Sequence, residues 1–303
     1  AGVASVVIGH DKEPGVNNKA KKLGVVDKTE WNLISACEDS DLIILATPVG
    51  EMEATMEAIG QYLRPGCVVM DTGSLKSPVL DWASRHLPEH AYFVGGDPII
   101  PATDNGKQGV EAARADLFQR GLFCLTPSPT ADPAAVKLVS DLVMILGAKP
   151  IYFDPAEHDG LVAAVDHLPV LLSLAMMETV VQQPSWRELR KVAGASFEVS
   201  TQLASSEPPG FGGVCLTNKD NILRWIDSYV ATLTSFRDSL VNEQAEALDE
   251  RFESAAVERA KWLHDREQGQ WEGDKGAEMP EKPNLLADAF LGGSLRKRPK
   301  KED

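Results

Sequence analysis

The chain has no uninterrupted apolar stretch that reads as a bilayer span: the longest candidate, residues 161–181, is broken by Asp166, His167 and Glu178. Positive charge is also scarce. Thirty Lys and Arg against 45 Asp and Glu leave a net charge of −15 over 303 residues. That balance argues against nucleic acid and anionic membranes as main partners, because phosphate binding needs a basic surface. Only four cysteines are present (Cys37, Cys67, Cys124, Cys215), far apart, and three lie in or beside apolar runs. This fits buried free thiols in a reducing cytoplasm better than a disulfide framework or a thiolate metal site. No signal peptide and no internal repeat is visible. What is there, 43% hydrophobic and 25% charged residues, is the composition of a soluble globular protein with one large or two ordinary domains.

Apolar runs and helical periods alternate through the first half. Strands are expected at residues 4–8 (ASVVI), 41–47 (DLIILAT) and 67–71 (CVVMD), with helices at 16–23, 31–36, 51–63 and 77–86. The run at 41–47 is continuous, as in a strand buried on both faces. Residues 93–126 should supply two more strands flanking a polar loop and a short Ala-rich helix, followed by a helix at 132–146 and a strand at 150–153. This is the pattern of a Rossmann-like α/β domain with a mainly parallel sheet, spanning residues 1–154. The glycine pattern G-x-G-x-x-G that opens such a sheet is absent; residues 1–8 read as the end of its first helix and its second strand, so a fragment lacking the first strand and glycine loop is expected. Beyond residue 154 an all-helical domain is expected to about residue 267. There, residues 161–181 are apolar nearly all round, which implies a helix buried on every side, in a core or between subunits. Residues 268–303 read as a disordered tail.

One stretch stands out for chemistry. Residues 93–98 (FVGGDP) read as a strand ending in a tight, exposed turn that presents Asp97 on a glycine-lined rim. Asp11, after the strand at 4–8, is placed to accept hydrogen bonds from ribose hydroxyls and to repel a 2′-phosphate, favouring NAD over NADP; it is also an ordinary acidic turn residue, and Lys12 beside it blurs the choice. Ser74 ends a strand in Thr72-Gly73-Ser74, where a helix cap is the plain alternative. Glu157-His158-Asp159 are adjacent rather than spaced around one ion, so they read as the start of a helix, and no metal site is expected.

Several stretches, in order, resemble the prephenate/arogenate dehydrogenase family of tyrosine biosynthesis: VVIGHDK (6–12), DLIILATPV (41–49), DTGSLK (71–76), FVGGDP (93–98), GVEAARADLF (109–118), DPAEHD (154–159) and VDHLP (165–169). The resemblance implies a nicotinamide-binding domain followed by a helical domain through which two subunits dimerise. It implies NAD or NADP as cofactor and hydride transfer from a small cyclohexadienol acid, with loss of carboxylate to give an aromatic ring. Asp11, Thr47, Pro48, Val49 and Gly73 are the implied cofactor contacts, and Ser74 lies beside the substrate hydroxyl. His167 matches the first histidine of the family's Ser-His-Leu-Pro-His, and Val170 replaces the second. Asp97 stands where the family carries histidine, and Gln202 stands at the position of its substrate-binding arginine, with Arg187 or Arg190 as other sources of charge. Two other readings remain open: a dehydrogenase of another hydroxy acid with Asp97 as base, and a non-catalytic dimeric relative.

Overall fold

The structure, a computed structural model, describes residues 4–100, 113–128, 130–205 and 210–269. The first strand is short. Only β1 (Ile8–Gly9) pairs, in parallel with β2 (Lys28–Thr29), while residues 4–7 lie exposed beside it. Between them runs α1 (Pro14–Lys22). Helix α2 (Leu33–Cys37) starts where the Asn32 side chain accepts the Ile34 and Ser35 N–H groups, satisfying two of the donors that open any helix.

The main sheet has five strands in the order β3 (Leu42–Leu45), β4 (Val68–Asp71), β5 (Tyr92–Ile99), β6 (Leu122–Pro127) and β7 (Lys149–Tyr152). All neighbours are parallel except β5 and β6. Helices α3 (Val49–Gly60) and α4 (Ser77–His86) cover one face, and α5 (Pro133–Ile145) covers the other. The period-two alternation of a strand places residues of β4 on both covered faces, and all four are buried. Val69 faces Met52, Met56, Ile59 and Val79, whereas Val68 and Met70 face Val139 and Val143 across the sheet. Helices α3 and α4 approach closely at Gly60, where a Cβ would lie 2.1 Å from the His86 carbonyl oxygen.

Two expectations fail in β5. Residues 95–98 do not turn; they continue the strand, with Gly95, Gly96, Asp97 and Pro98 opposite Thr126, Leu125, Cys124 and Phe123. The glycines serve close packing instead: a Cβ on Gly95 would sit 2.3 Å from Thr126 Oγ1, and one on Gly96 2.7 Å from both the Asp71 carbonyl oxygen and Phe123 Cε1. Asp97 is therefore 8% exposed rather than on an open rim. The loop and Ala-rich helix expected after β5 fall largely on residues 101–112, outside the described residues, and so does nearly all of the tail expected at 268–303.

Asp154 accepts the N–H groups of Ala156 and Glu157 and opens α6 (Pro155–Val162), which continues through a π turn (Ala163–His167) into α7 (Leu168–Val181). Contrary to the sequence-based expectation, this run is long and apolar enough to cross a membrane by length and composition alone. Nor is it buried on every side. His158, Asp159, Val162, Ala163, His167 and Val170 face inward, but Val165 is 76% exposed, and Leu161, Leu174 and Met176 also face out. Charged and polar side chains on the inward face mark it as a surface packed against protein. Four further helices follow before residue 242: α8 (Trp186–Val192), α9 (Ala195–Thr201), α10 (Phe211–Thr217) and α11 (Lys219–Val241); α12 (Ala245–Gln268) ends the described chain. The chain divides into two compact units after Arg237, and every residue discussed below lies in the first.

The two glycines of α3 give a paired test of packing. Gly60→Ala is expected to lower stability by about 1–3 kcal/mol because backbone must move. Gly50→Ala, with nothing within 4 Å of the new Cβ, should be neutral or stabilising by up to about 1 kcal/mol. Urea denaturation midpoints of the two variants measure both.

Candidate active site

The site is built around the carboxylate of Asp71, which is wholly buried at the end of β4. Its Oδ2 accepts the Gly73 N–H at 2.9 Å and a hydrogen bond from the Lys76 ammonium; its Oδ1 accepts the Gly96 N–H at 3.0 Å. Lys76, also wholly buried, donates in addition to the Gly96 carbonyl at 2.6 Å. Burial holds the Asp71 carboxyl above the usual carboxylate range, with the ammonium and two N–H groups opposing it. One carboxylate thus clamps the turn before Ser74 and the residue before Asp97.

Ser74 is half-buried, with Oγ 3.5 Å from Nε2 of the fully buried His167. His167 closes the π turn, a widened helical turn often found at functional sites. Its Nδ1 lies 3.3 Å from the Asn218 side-chain nitrogen, which also donates to the Asp159 carbonyl at 2.9 Å. An amide nitrogen only donates, so this network assigns the His167 proton to Nε2, facing Ser74. Burial holds His167 below the ordinary histidine range, against the pull of Asp159 and Asp97, and keeps the ring neutral. Phe211 packs edge-on to it at 5.8 Å between ring centroids.

Asp97 reaches the same end of the sheet but faces His158, whose Nε2 lies 3.3 Å from Asp97 Oδ2. On the other side, His158 Nδ1 is 3.5 Å from Asp159 Oδ1. Asp159 accepts the Lys76 and Ser77 N–H groups at 2.7 and 2.9 Å, so a carboxylate from α6 caps the N-terminus of α4. Burial by itself would lower His158, but its neighbours Asp159, Asp97 and Cys124 outweigh it and raise the imidazole to about 11. Asp159 is correspondingly held below the usual carboxylate range: burial opposes ionisation, but His158 and the two N–H groups prevail.

The residues expected to contact a cofactor lie at the C-terminal ends of parallel strands. Asp11 follows β1 and accepts the Glu13 N–H at 2.8 Å. Lys12 reaches across to Glu51 in the first turn of α3, at 2.6 Å. Thr47 and Pro48 are exposed after β3, and Val49 is buried. A Cβ on Gly73 would sit 2.8 Å from Val49 Cγ2, so the turn after β4 lies flush against the turn after β3. Gln202 is exposed in the 3₁₀ turn Gln202–Ser205, and no side-chain hydrogen bond joins it to the Ser74–His167 group among the described residues. Arg187 and Arg190 are exposed on α8.

The structure adds residues that sequence reasoning passed over. Glu157, His158 and Asp159 do begin a helix, but only Glu157 is exposed, and the other two point into the site. Their signal was an adjacent histidine and acid one turn after a capping Asp154, too short to indicate which way they face. Asn218 and Lys76 had no local signal.

Both parts of the chain match a known family. Residues 1–152 match the family described as prephenate dehydrogenase, nucleotide-binding domain, and residues 154–254 match prephenate dehydrogenase, dimerization domain. The chain belongs to the prephenate dehydrogenase family. It is 30% identical over 251 residues to the prephenate dehydrogenase of Bacillus subtilis, covering 82% of this chain and 67% of that one. It is 26% identical over 252 residues to the cyclohexadienyl dehydrogenase of Zymomonas mobilis, covering 82% and 85% respectively. Among solved structures, prephenate dehydrogenase from Aquifex aeolicus in complex with hydroxyphenyl propionate and NAD+ superposes with a TM-score of 0.77. That match has 27% identity over 86% of this chain and 90% of that chain.

The His158 cluster sets a direction for stability against pH. A histidine raised from about 6.5 in the unfolded chain to about 11 in the fold contributes fully below pH 6.5 and loses that contribution as pH rises toward 11. The urea midpoint should therefore fall from about pH 7 to 9, and the fall should be shallower in His158→Gln; equal slopes would remove the cluster from the account.

Proposed function

We propose that this protein is an NAD(P)-dependent dehydrogenase that oxidatively decarboxylates prephenate or arogenate, acting at Ser74, Asp97 and His167. One observation carries the reading: within a chain matching both domains of the family, a single buried network brings Ser74 within 3.5 Å of His167 and clamps the residues preceding Ser74 and Asp97 on one carboxylate. Asp11, Thr47, Pro48, Val49 and Gly73, in the turns after β1, β3 and β4, would hold the dinucleotide. When bound, its nicotinamide supplies the hydride acceptor. His167 donates its Nε2 proton to Ser74 Oγ, which leaves the serine hydroxyl free to donate to the substrate hydroxyl. Asp97 accepts the substrate O–H proton as carbonyl character develops and returns it when the ring becomes aromatic after carbon dioxide leaves.

The exposed apolar face of α6 and α7 supports a homodimer formed through the helical domain. The buried, unpaired thiols of Cys37, Cys67 and Cys124 support a cytoplasmic location. Asp11 supports a preference for NAD over NADP, since its carboxylate would repel a 2′-phosphate. A second reading, oxidation of another hydroxy acid, is favoured by Asp97 at a position where the family carries histidine and by the exposure of Gln202.

Reduced-cofactor absorbance tests the reading directly. Turnover is expected with prephenate or arogenate; cofactor binding with no turnover of either, but turnover of another hydroxy acid, would establish the second reading instead. Asp11→Ala is expected to weaken NAD by about 1.5–3 kcal/mol, roughly 10- to 100-fold in KM, with far less effect on NADP. An equal effect on both cofactors would exclude Asp11 as the discriminating residue.

A further inference from the structure

The His158 side chain is 2% exposed, and its two nitrogens face two carboxylates from different elements. Elsewhere in the chain His90 and His10 make a plainer kind of contact: His90 Nε2 lies 2.9 Å from the Leu63 carbonyl and His10 Nδ1 3.0 Å from that of Glu30. His158 has no such backbone partner. Its Nε2 is buried and, although 3.3 Å from Asp97 Oδ2, is not aligned with it as a hydrogen bond, so it has no partner other than that charge. Leaving a buried imidazole nitrogen in this state is costly unless an ion pair compensates it.

The order of attachment is directional. The start of α4 holds Asp159 through two backbone N–H groups; Asp159 faces His158 Nδ1; and the ring then presents Nε2 to Asp97. The Phe153 ring packs against the imidazole at 6.4 Å between centroids. The titratable groups facing His158 are Asp97 from β5, Cys124 opposite it on β6, Asp159 beside it on α6 and His167 from the π turn. One imidazolium between two carboxylates leaves a single net negative charge. Asp159 is already occupied by two N–H donors, so the oxygen left to accept a proton belongs to Asp97, the more open of the two at 11% side-chain exposure against 6%.

We propose that His158 is a positioning residue for the proton acceptor of this site: it orients the Asp97 carboxylate and sets a positive charge beside it, so that Asp159, His158 and Asp97 act as one buried acid–histidine–acid unit. This rests on Asp97 being the proton acceptor proposed above. Burial by itself works against the ionised form that a proton acceptor needs. An isolated carboxylate deep in a protein tends to take up a proton, whereas one beside an imidazolium does not.

The test uses the full chain and two near-isosteric variants, His158→Gln and Asp97→Asn. Imidazole nitrogen NMR between about pH 6 and 11.5 should show the signal absent from His158→Gln remaining that of an imidazolium in the parent protein up to about pH 9. In Asp97→Asn the same signal should titrate at least about one unit lower. In the kinetic arm, His158→Gln should shift the acidic limb of the kcat profile upward by about one unit. That means a loss of up to about 10-fold at pH values below the limb, recovered to within about threefold above it, with KM nearly unchanged. An ordinary titration of His158 near 6.5, or its insensitivity to Asp97→Asn, would overturn the proposal, as would a loss in His158→Gln that is the same at every pH. The failure of the underlying assignment looks different: Asp97→Asn would then retain full kcat while the NMR coupling persisted.

Discussion

Everything at the candidate site hangs on the buried Asp71–Lys76 pair. Two opposite charges with no solvent exposure are not in themselves a strong source of stability, because desolvation consumes most of the Coulombic gain. Their value is geometric. Three backbone groups, the Gly73 N–H, the Gly96 N–H and the Gly96 carbonyl, are satisfied by the pair. Ser74 and Asp97 are the next residues along, so neither can move without leaving a buried charge or peptide group unpaired.

A second carboxylate, Asp159, extends that constraint into the helical part of the chain. By accepting the N–H groups that open α4, it brings α6 against the end of the sheet; by sitting next to His158, it delivers an imidazole to Asp97. The Asn218 amide then joins the Asp159 carbonyl to His167, and His167 faces Ser74. The polar groups of the site therefore form a nearly continuous chain from β4 through α6 and the π turn back to the turn after β4. Its two histidines are driven apart in protonation, one neutral by burial and one cationic by flanking acids, which is the separation a proton-handling site requires.

Much of this was legible in the residues. The alternation of apolar runs and helical periods placed the strands that became β3, β4 and β7 within a few residues, and Ser77–His86 emerged as a helix with proline in its first turn. The ordered motifs pointed to a family that domain matches over residues 1–152 and 154–254 then supplied. Local rules failed where a long-range contact overrode them. Paired glycines before Asp97-Pro98 carry the usual signature of a turn, but here Thr126, Phe123 and the Asp71 backbone crowd the strand so closely that only glycine fits in an extended chain. The apolar run at 161–181 satisfies the pattern of a fully buried helix, yet no described residue covers Val165, Leu174 and Met176 on one of its faces.

By itself, the amino-acid sequence determined the order of elements, the two-part layout and the identity of the side chains available for chemistry, because periodicity, capping and turn preference are local properties. Only the tertiary structure decided what those side chains became. Asp97 reads as an exposed turn residue in one dimension; in three it is a buried carboxylate 3.3 Å from an imidazole that lies 61 positions along the chain. Protonation state depends on burial and on which charges lie within a few ångströms, and those neighbours come from β5, β6 and α6 at once. No window of sequence contains them together.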